Sequence, residues 1–348
     1  MNIVENLAKI FAVSIIFISL YFIVWFSTAP IIPTNTPIAL KSSGSRDLDA
    51  EKMRMNALNE MVRQNSHELP PRTSNKSARD LCSMKNMCTP RNRQYQTQLR
   101  VSPKYKMVSC VVQKSMSTMI SGTMCYLYDE EGFINSGRDF DDELQTRFCR
   151  DKNEYFDVAT VRSMYNISLV GNDWSFSMIT RDPIDRFVSG YVDRCIRIRQ
   201  PNGTIQCNGC RWNLTCFVET EYKRMMEISN RGKVRRTMED AHFFPQLWHC
   251  DLHTELEYFE FLKYSTNAED LLIPQFDDLM ERQKVPLASR QFIHRQLLFR
   301  RPNHATISTT ARRFYYSRLM SSPYLLEFII KMFYYDFVQF HYALPNGF

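Results

Sequence analysis

Two short segments of this chain hold residue types that grip an anion, and a third holds groups that move a proton. The first is Gln113-Lys114-Ser115-Met116-Ser117-Thr118. A lysine gives a point charge, and Ser115, Ser117 and Thr118 give hydroxyl donors. If a helix begins here, the free backbone N–H groups of its first turn and the positive end of its dipole add to them. Alone, the segment reads equally well as a strand edge with a solvent-facing lysine and a serine cap. The second is Arg181-Asp-Pro-Ile-Asp-Arg186-Phe-Val-Ser189-Gly-Tyr191. A guanidinium fork matches a phosphate, and Ser189 lies about two helical turns further on, near enough to help Arg181. Arg186 and Tyr191 brace or pack. The plain alternative is an Arg–Asp helix start with surface ion pairs. The third is His242-Phe-Phe-Pro-Gln-Leu-Trp-His-Cys250. An imidazole suits a base near neutral pH. His242 precedes two aromatics; His249 and His253 are its rivals.

These groups need elements to hold them. Residues 105–112 are apolar and β-branched enough for a buried strand, and residues 117–128 read as a helix capped near Ser117 or Thr118. Residues 174–180 predict a second strand ending at Arg181. Pro183 then suits the first turn of a helix running to about Ile198. Residues 256–261 read as a further strand, and 271–283, 289–299 and 323–334 as helices. Strands alternating with helices predict an α/β domain over residues 100–348, with a central parallel sheet flanked by helices.

Before that domain, residues 10–26 carry no charge. About 17–25 apolar residues span a bilayer, and the run exceeds the ~7–15 residues of a cleavable signal core. A transmembrane signal anchor over 10–29 is expected, with residues 1–9 cytoplasmic and the rest luminal. Residues 30–99, polar and rich in proline at the start, read as a luminal stem. Leu48, Met55, Leu58 and Val62 fall near heptad spacing, but Glu51 breaks the seam, so a linker is preferred to an oligomerising helix. All 10 cysteines lie beyond the apolar run, which suits disulfides in an oxidising lumen. Cys207 and Cys210 form a CxxC, but no second CxxC completes a zinc set, so disulfides are expected there. Sequons at Asn75, Asn166, Asn202 and Asn213 agree with luminal exposure. Glycine is scarce, at 10 residues, which argues against a glycine-rich nucleotide loop, and the net charge of +7 is too modest to identify a partner.

The spacing of the first two segments, each at a strand-to-helix junction, resembles the double signature of the sulfotransferases that use 3′-phosphoadenosine-5′-phosphosulfate (PAPS). Over residues 100–342 the chain is similar to their Golgi carbohydrate branch, which holds the chondroitin and dermatan 4-O-sulfotransferases and the HNK-1 sulfotransferase. The resemblance also covers the His242–Cys250 segment and the aromatic runs at residues 314–316, 333–337 and 340–342. It implies a P-loop-like sulfotransferase fold, PAPS as donor and no metal. Lys114, Ser115, Ser117 and Thr118 would face the sulfate end, and Arg181 and Ser189 the 3′-phosphate. It also implies catalysis by Lys114 and His242, a glycan acceptor led by chondroitin, and a single-pass type II protein of the Golgi membrane. A homodimer is left open; nucleic acid is disfavoured by luminal topology. Gln113 and Met116 depart from the family loop, which has a proline and a small residue there. Two other classes compete. A glycosyltransferase would want a metal site, for which Asp139-Phe-Asp-Asp142 is the nearest match, and a non-catalytic lectin would need neither Lys114 nor Arg181.

Overall fold

The structure is a computed structural model that describes residues 56–144, 146–168, 171, 173–197, 207–231, 237–265, 270–299 and 309–348. The expected tail, the membrane span, the start of the stem and the sequon at Asn202 lie outside the described residues.

Five strands form one sheet in the order β3-β1-β2-β4-β5. They are β1 (Leu99–Ser102), β2 (Met107–Cys110), β3 (Glu154–Tyr155), β4 (Ser175–Arg181) and β5 (Phe259–Tyr264). β2, β4 and β5 run parallel, with Val108 opposite Phe176 and Met178 opposite Phe261. β1 is antiparallel to both β2 and β3. The parallel sheet expected from the strand–helix alternation is therefore only its β2-β4-β5 part. β1 and β2 are joined by a tight turn over Pro103–Tyr105, too short for the crossover a parallel pair requires.

Both faces of the parallel strands are covered, which is why β2 and β4 read as near-continuous apolar runs. Val108, Cys110, Phe176 and Met178 belong to one core. It is packed by α2 (Pro183–Tyr191), α3 (Leu214–Arg231), α4 (Met238–Phe243), α5 (Thr310–Met320) and α6 (Pro323–Gln339). Met107, Val111 and Ile179 belong to the other, beneath α1 (Ser117–Tyr128) and the helices Leu272–Arg282 and Leu287–Phe299. Alternate residues of a strand point to opposite faces, so one short strand supplies both cores.

Several boundaries differ from expectation. The compact unit begins at Leu58, not near residue 100. Ala78, Leu81, Cys82 and Tyr95 are buried in the main core, so a few apolar anchors fix a segment whose composition is mostly polar. Leu58 and Val62 of the heptad-like run are exposed; Met61 and Asn65 on the same helix are buried instead, and Asn65 donates to the Trp212 carbonyl at 2.9 Å. Residues 256–258, expected to begin β5, form a 3-10 turn. α2 ends at Tyr191 and gives way to a π-helical stretch, Val192–Arg197.

All ten cysteines are paired: Cys82–Cys88, Cys110–Cys250, Cys125–Cys149, Cys195–Cys207 and Cys210–Cys216. Cys207 and Cys210 do not join each other, so the CxxC is two half-cystines of different loops. Cys110–Cys250 ties the end of β2 to the turn after His249 across 140 residues of sequence.

Candidate active site

Ligands of open α/β sheets bind beyond the carboxyl ends of parallel strands. Here β2 ends at Cys110, and residues 111–116 cross the sheet edge before α1 begins at Ser117. Lys114 and Met116 take positive φ angles of 67° and 58°. These left-handed residues fold the loop over the first turn of α1, whose N-cap, Met116, offers no side-chain bond to that turn. The first-turn N–H groups therefore keep their anion-binding character. Met116 holds this conformation in place of the small residue of the family pattern, at a cost of ~1–2 kcal/mol.

β4 ends one strand over, at Arg181. Its Nη1 donates to the Lys114 carbonyl at 3.0 Å, so the two segments meet. The guanidinium lies over the Tyr264 ring, 5.0 Å from its centroid, at the end of β5. Arg181 is 5% exposed, yet its Nε and Nη2 have no hydrogen-bond partner among the described residues. Burial accordingly pushes its pKa down. Among the described residues no carboxylate forms an ion pair with it, and Asp185 and Asp182 attract it only from further off; burying such a cation is costly, and an anion bound here would offset that cost.

Lys114 is already paired. Its ammonium donates to Asp193 on the π-helical stretch, and Asp193 also accepts from Arg197, with Nε at 3.2 Å. Burial pushes the Lys114 pKa down, and Asp193 opposes that shift. Ser117 is half-buried and Thr118 is buried, both in the first turn of α1. Ser115 behaves otherwise than expected. Its hydroxyl donates to Gln246 Oε1 at 3.2 Å and its N–H to the Val112 carbonyl at 3.1 Å. Both donors are spent on the scaffold, so Ser115 is a strut of the loop and not a donor to a ligand. Ser189 is buried on α2.

Gln246, which sequence reasoning passed over, locks the two anion segments together. Its Oε1 accepts from Arg181 N at 2.9 Å as well as from Ser115, and its Nε2 donates to the Arg181 carbonyl at 2.8 Å. Buried Asp336 holds the turn that carries it, accepting from Gln246 N at 2.7 Å and Leu247 N at 3.0 Å. Burial raises the Asp336 carboxyl to about 6. Arg186 is a second staple, donating to the carbonyls of Gln113 at 3.0 Å and Phe244 at 2.9 Å. Tyr191 packs against Tyr315, with ring centroids 4.8 Å apart. Gly190 is required by contact: a Cβ there would lie 2.9 Å from Phe243 Cε1.

The three histidines separate cleanly. His249 is 1% exposed, with Nε2 buried and unpartnered, and burial pushes it down to about 3. It packs beside Tyr95 inside the fold, out of reach of an acceptor. His253 lines a different cleft, with Arg91 and Glu257. His242 lines a cleft together with Gln113, the neighbour of Lys114. Its Nδ1 lies 2.7 Å from the Met238 carbonyl. A carbonyl only accepts, so Nδ1 carries the hydrogen and Nε2 keeps its lone pair. Burial, and next the positive charge of Lys114, push His242 down to about 4, so the ring is neutral at pH 7. A Thr237–Asp240 capping box and the Arg224–Asp240 ion pair fix the helix that carries it.

The rival metal motif is committed elsewhere. Asp142 accepts from Asp139 N at 2.9 Å, and Asp139 accepts from Gln296 at 3.0 Å. No group of three or more metal-ligating side chains occurs among the described residues.

Lys114 and Arg181 thus meet at two strand ends, beside a cleft that holds the neutral imidazole of His242. The chain belongs to the Sulfotransferase family, whose signature matches residues 97–343, and is a sulfotransferase. It is 57% identical over 318 residues to vep-2 of Caenorhabditis elegans, provisionally named a sulfotransferase, covering 91% of this chain and 97% of that protein. It is 38% identical to the uncharacterised C. elegans protein C18B2.2, covering 89% of each. It is 28% identical over 246 residues to the C. elegans carbohydrate sulfotransferase chst-1, covering 70% of this chain and 74% of that protein. No solved structure matches the chain.

Proposed function

We propose that the protein transfers the sulfuryl group of PAPS to a glycan hydroxyl. The observation that carries this reading is Arg181, buried beside the Lys114 loop with two guanidinium nitrogens unpartnered. A doubly charged 3′-phosphate would satisfy both, with Ser189 assisting. Lys114, Ser117 and Thr118 would hold the 5′-phosphosulfate at the start of α1. During transfer the acceptor oxygen forms a bond to sulfur as the bond from sulfur to the 5′-phosphate oxygen breaks. Lys114 neutralises the charge that grows on that leaving oxygen. His242 takes the acceptor proton on Nε2. Burial keeps its basicity low, and the part of the shift due to Lys114 is relieved when the anionic 5′-phosphosulfate neutralises that lysine.

The glycan acceptor is supported by the similarity to chst-1, and chondroitin, sulfated at a 4-hydroxyl, is the specific acceptor that the resemblance to the Golgi branch suggests. That resemblance, with the uncharged run at 10–26 and the luminal sequons, also underlies our assignment of a type II anchor in the Golgi membrane. The test is incubation of the full-length protein with sulfur-labelled PAPS and a panel of glycans. Label should appear in a glycan fraction in proportion to the 3′-phosphoadenosine 5′-phosphate released. A protein that binds neither nucleotide and labels no glycan would overturn the proposal.

A further inference from the structure

Lys114 has a fixed counter-ion. Its side chain is 12% exposed and donates to Asp193, whose side chain is 6% exposed. The carboxylate divides its oxygens: Oδ2 takes the Lys114 ammonium and Oδ1 the Arg197 guanidinium, with Nε at 3.2 Å. Asp193 lies about one turn beyond Ser189, where α2 gives way to the π-helical stretch Val192–Arg197. Such stretches are rare and recur at functional sites. This one is tied down next to the carboxylate, because Cys195 is bonded to Cys207 and Arg194 lies 3.9 Å from Glu239 on α4. The fold, and not a ligand, therefore fixes where Asp193 stands.

Charge explains what a fixed carboxylate does there. The groups that act on Lys114 include Asp193, Arg194 and Arg197 of the π-helical stretch. His242 of α4 is near enough to feel Lys114, and Arg181 of β4 binds the Lys114 carbonyl. Burial drives the Lys114 ammonium toward the neutral amine; Asp193 opposes this, while Arg197 and Arg194 add to it. Burial would raise the Asp193 carboxyl, but Lys114 and Arg197 hold it below the usual carboxylate range, so it is ionised at neutral pH. A neutral amine brings no charge to a leaving phosphate oxygen. An ammonium has three N–H donors, so Lys114 can keep Asp193 and still bond a ligand.

We propose that Asp193 is a positioning residue of the donor site: it holds the Lys114 ammonium cationic and in place before the donor arrives, and leaves it N–H donors for the 5′-phosphosulfate. The inference rests on the PAPS reading above. Asp193 acts through Lys114 and touches no substrate. Its carboxylate also repels an anionic donor. The help it gives grows with pH, as Lys114 comes closer to losing its proton, whereas the repulsion does not.

The experiment measures the affinity of full-length protein for 3′-phosphoadenosine 5′-phosphate by calorimetry from pH 6 to pH 9. Asp193→Asn keeps the shape and removes the charge; Asp193→Ser serves in its place if the amide variant does not fold. Ionisation of the nucleotide cancels in the ratio of variant to wild type. Lys114 contributes to binding below its pKa and stops contributing above it, and loss of Asp193 lowers that pKa. At pH 6 the variant should bind within ~3-fold of wild type, or more tightly. By pH 9 it should bind more weakly by about tenfold or more, the effect of one pKa unit. The kcat/KM for the donor should gain the same alkaline limb. With Lys114→Arg added to Asp193→Asn, the guanidinium keeps its charge and the limb should disappear. A ratio that does not change with pH would overturn the inference: unity would leave Asp193 idle, and a uniform loss would make it a structural strut. Absence of nucleotide binding by wild-type protein at every pH would instead overturn the donor reading beneath it.

Discussion

Arg181→Met separates a ligand-binding arginine from a structural one, because the two roles predict opposite signs. Methionine keeps most of the volume and removes the charge. In the free protein the substitution loses the Nη1 bond to the Lys114 carbonyl and the contact with the Tyr264 ring. Those losses are worth ~1–3 kcal/mol for the abandoned carbonyl and ~0.5–2 kcal/mol for the ring. Against them stands relief from a buried cation that Asp185 and Asp182 attract without forming an ion pair, worth several kcal/mol. Unfolding stability should therefore change little or rise. In the complex, Nε and Nη2 are each available for a hydrogen bond to a phosphate. A hydrogen bond to a charged group is worth ~1.5–3 kcal/mol, and two lost together should weaken affinity for 3′-phosphoadenosine 5′-phosphate by at least ~100-fold. Calorimetry gives the affinity and urea unfolding the stability. Unchanged affinity would refute the contact. A stability loss of ~3–5 kcal/mol would show instead that the charge is paired within the fold.

Other outcomes follow from the same structure. His242 is held at about 4 in the free protein, so it is already a free base above that pH. The kcat/KM profile for the nucleotide donor, which reports the free protein, should show no histidine limb near 6.5 and should fall only as pH drops through ~4–5; a limb at 6.5 would move the base elsewhere. Glu221 is fully buried and raised to about 8 by desolvation, against 4.5 for a free side chain. The folded state keeps a proton that the unfolded chain loses, so this group's contribution is fully present below pH ~4.5 and is lost as pH rises through ~8. Glu221→Gln should thus match wild type at pH 4.5 and exceed it at pH 8 by up to ~4 kcal/mol; an identical pH slope in urea unfolding would count against this. The paired substitution Cys110→Ala, Cys250→Ala removes a closure of 140 residues and should cost ~2–5 kcal/mol in unfolding under oxidising conditions, with no loss expected if that bond does not form.

The candidate site residues stood out in the sequence because their signals are local. Lys114 lies on the loop from β2 to α1 and Arg181 ends β4 just before α2, and the structure joins them through one hydrogen bond. Their supports were hidden because each is recruited from far along the chain. Gln246 is 65 residues from Arg181 and Asp336 is 90 from Gln246, distances no local pattern encodes. Asp193, the counter-ion of Lys114, is 79 residues away. α3 escaped notice for a different reason. Its buried stripe, Leu214, Phe217, Val218, Glu221, Met225 and Ile228, has helical spacing but is broken by a carboxylate that the fold keeps protonated. β1 was masked in the same way by buried Arg100, which pairs with Glu154 on β3 at 3.4 Å. The cysteine count foretold disulfides, at the CxxC as elsewhere, but not their pairing: Cys207 joins Cys195 and Cys210 joins Cys216.

The most direct test of the account is the Lys114→Ala variant, measured for nucleotide affinity and for transfer of labelled sulfur from PAPS to a glycan, beside His242→Ala and wild type. Lys114 is assigned to the leaving phosphate oxygen, so its loss should weaken nucleotide binding and lower turnover by ~10²–10³, the usual effect of removing one group that stabilises developing charge. His242→Ala should keep nucleotide affinity while turnover falls by ~10²–10⁴. A folded Lys114→Ala protein with near-normal turnover would contradict the central claim, because the loop between β2 and α1 would then have no part in the chemistry.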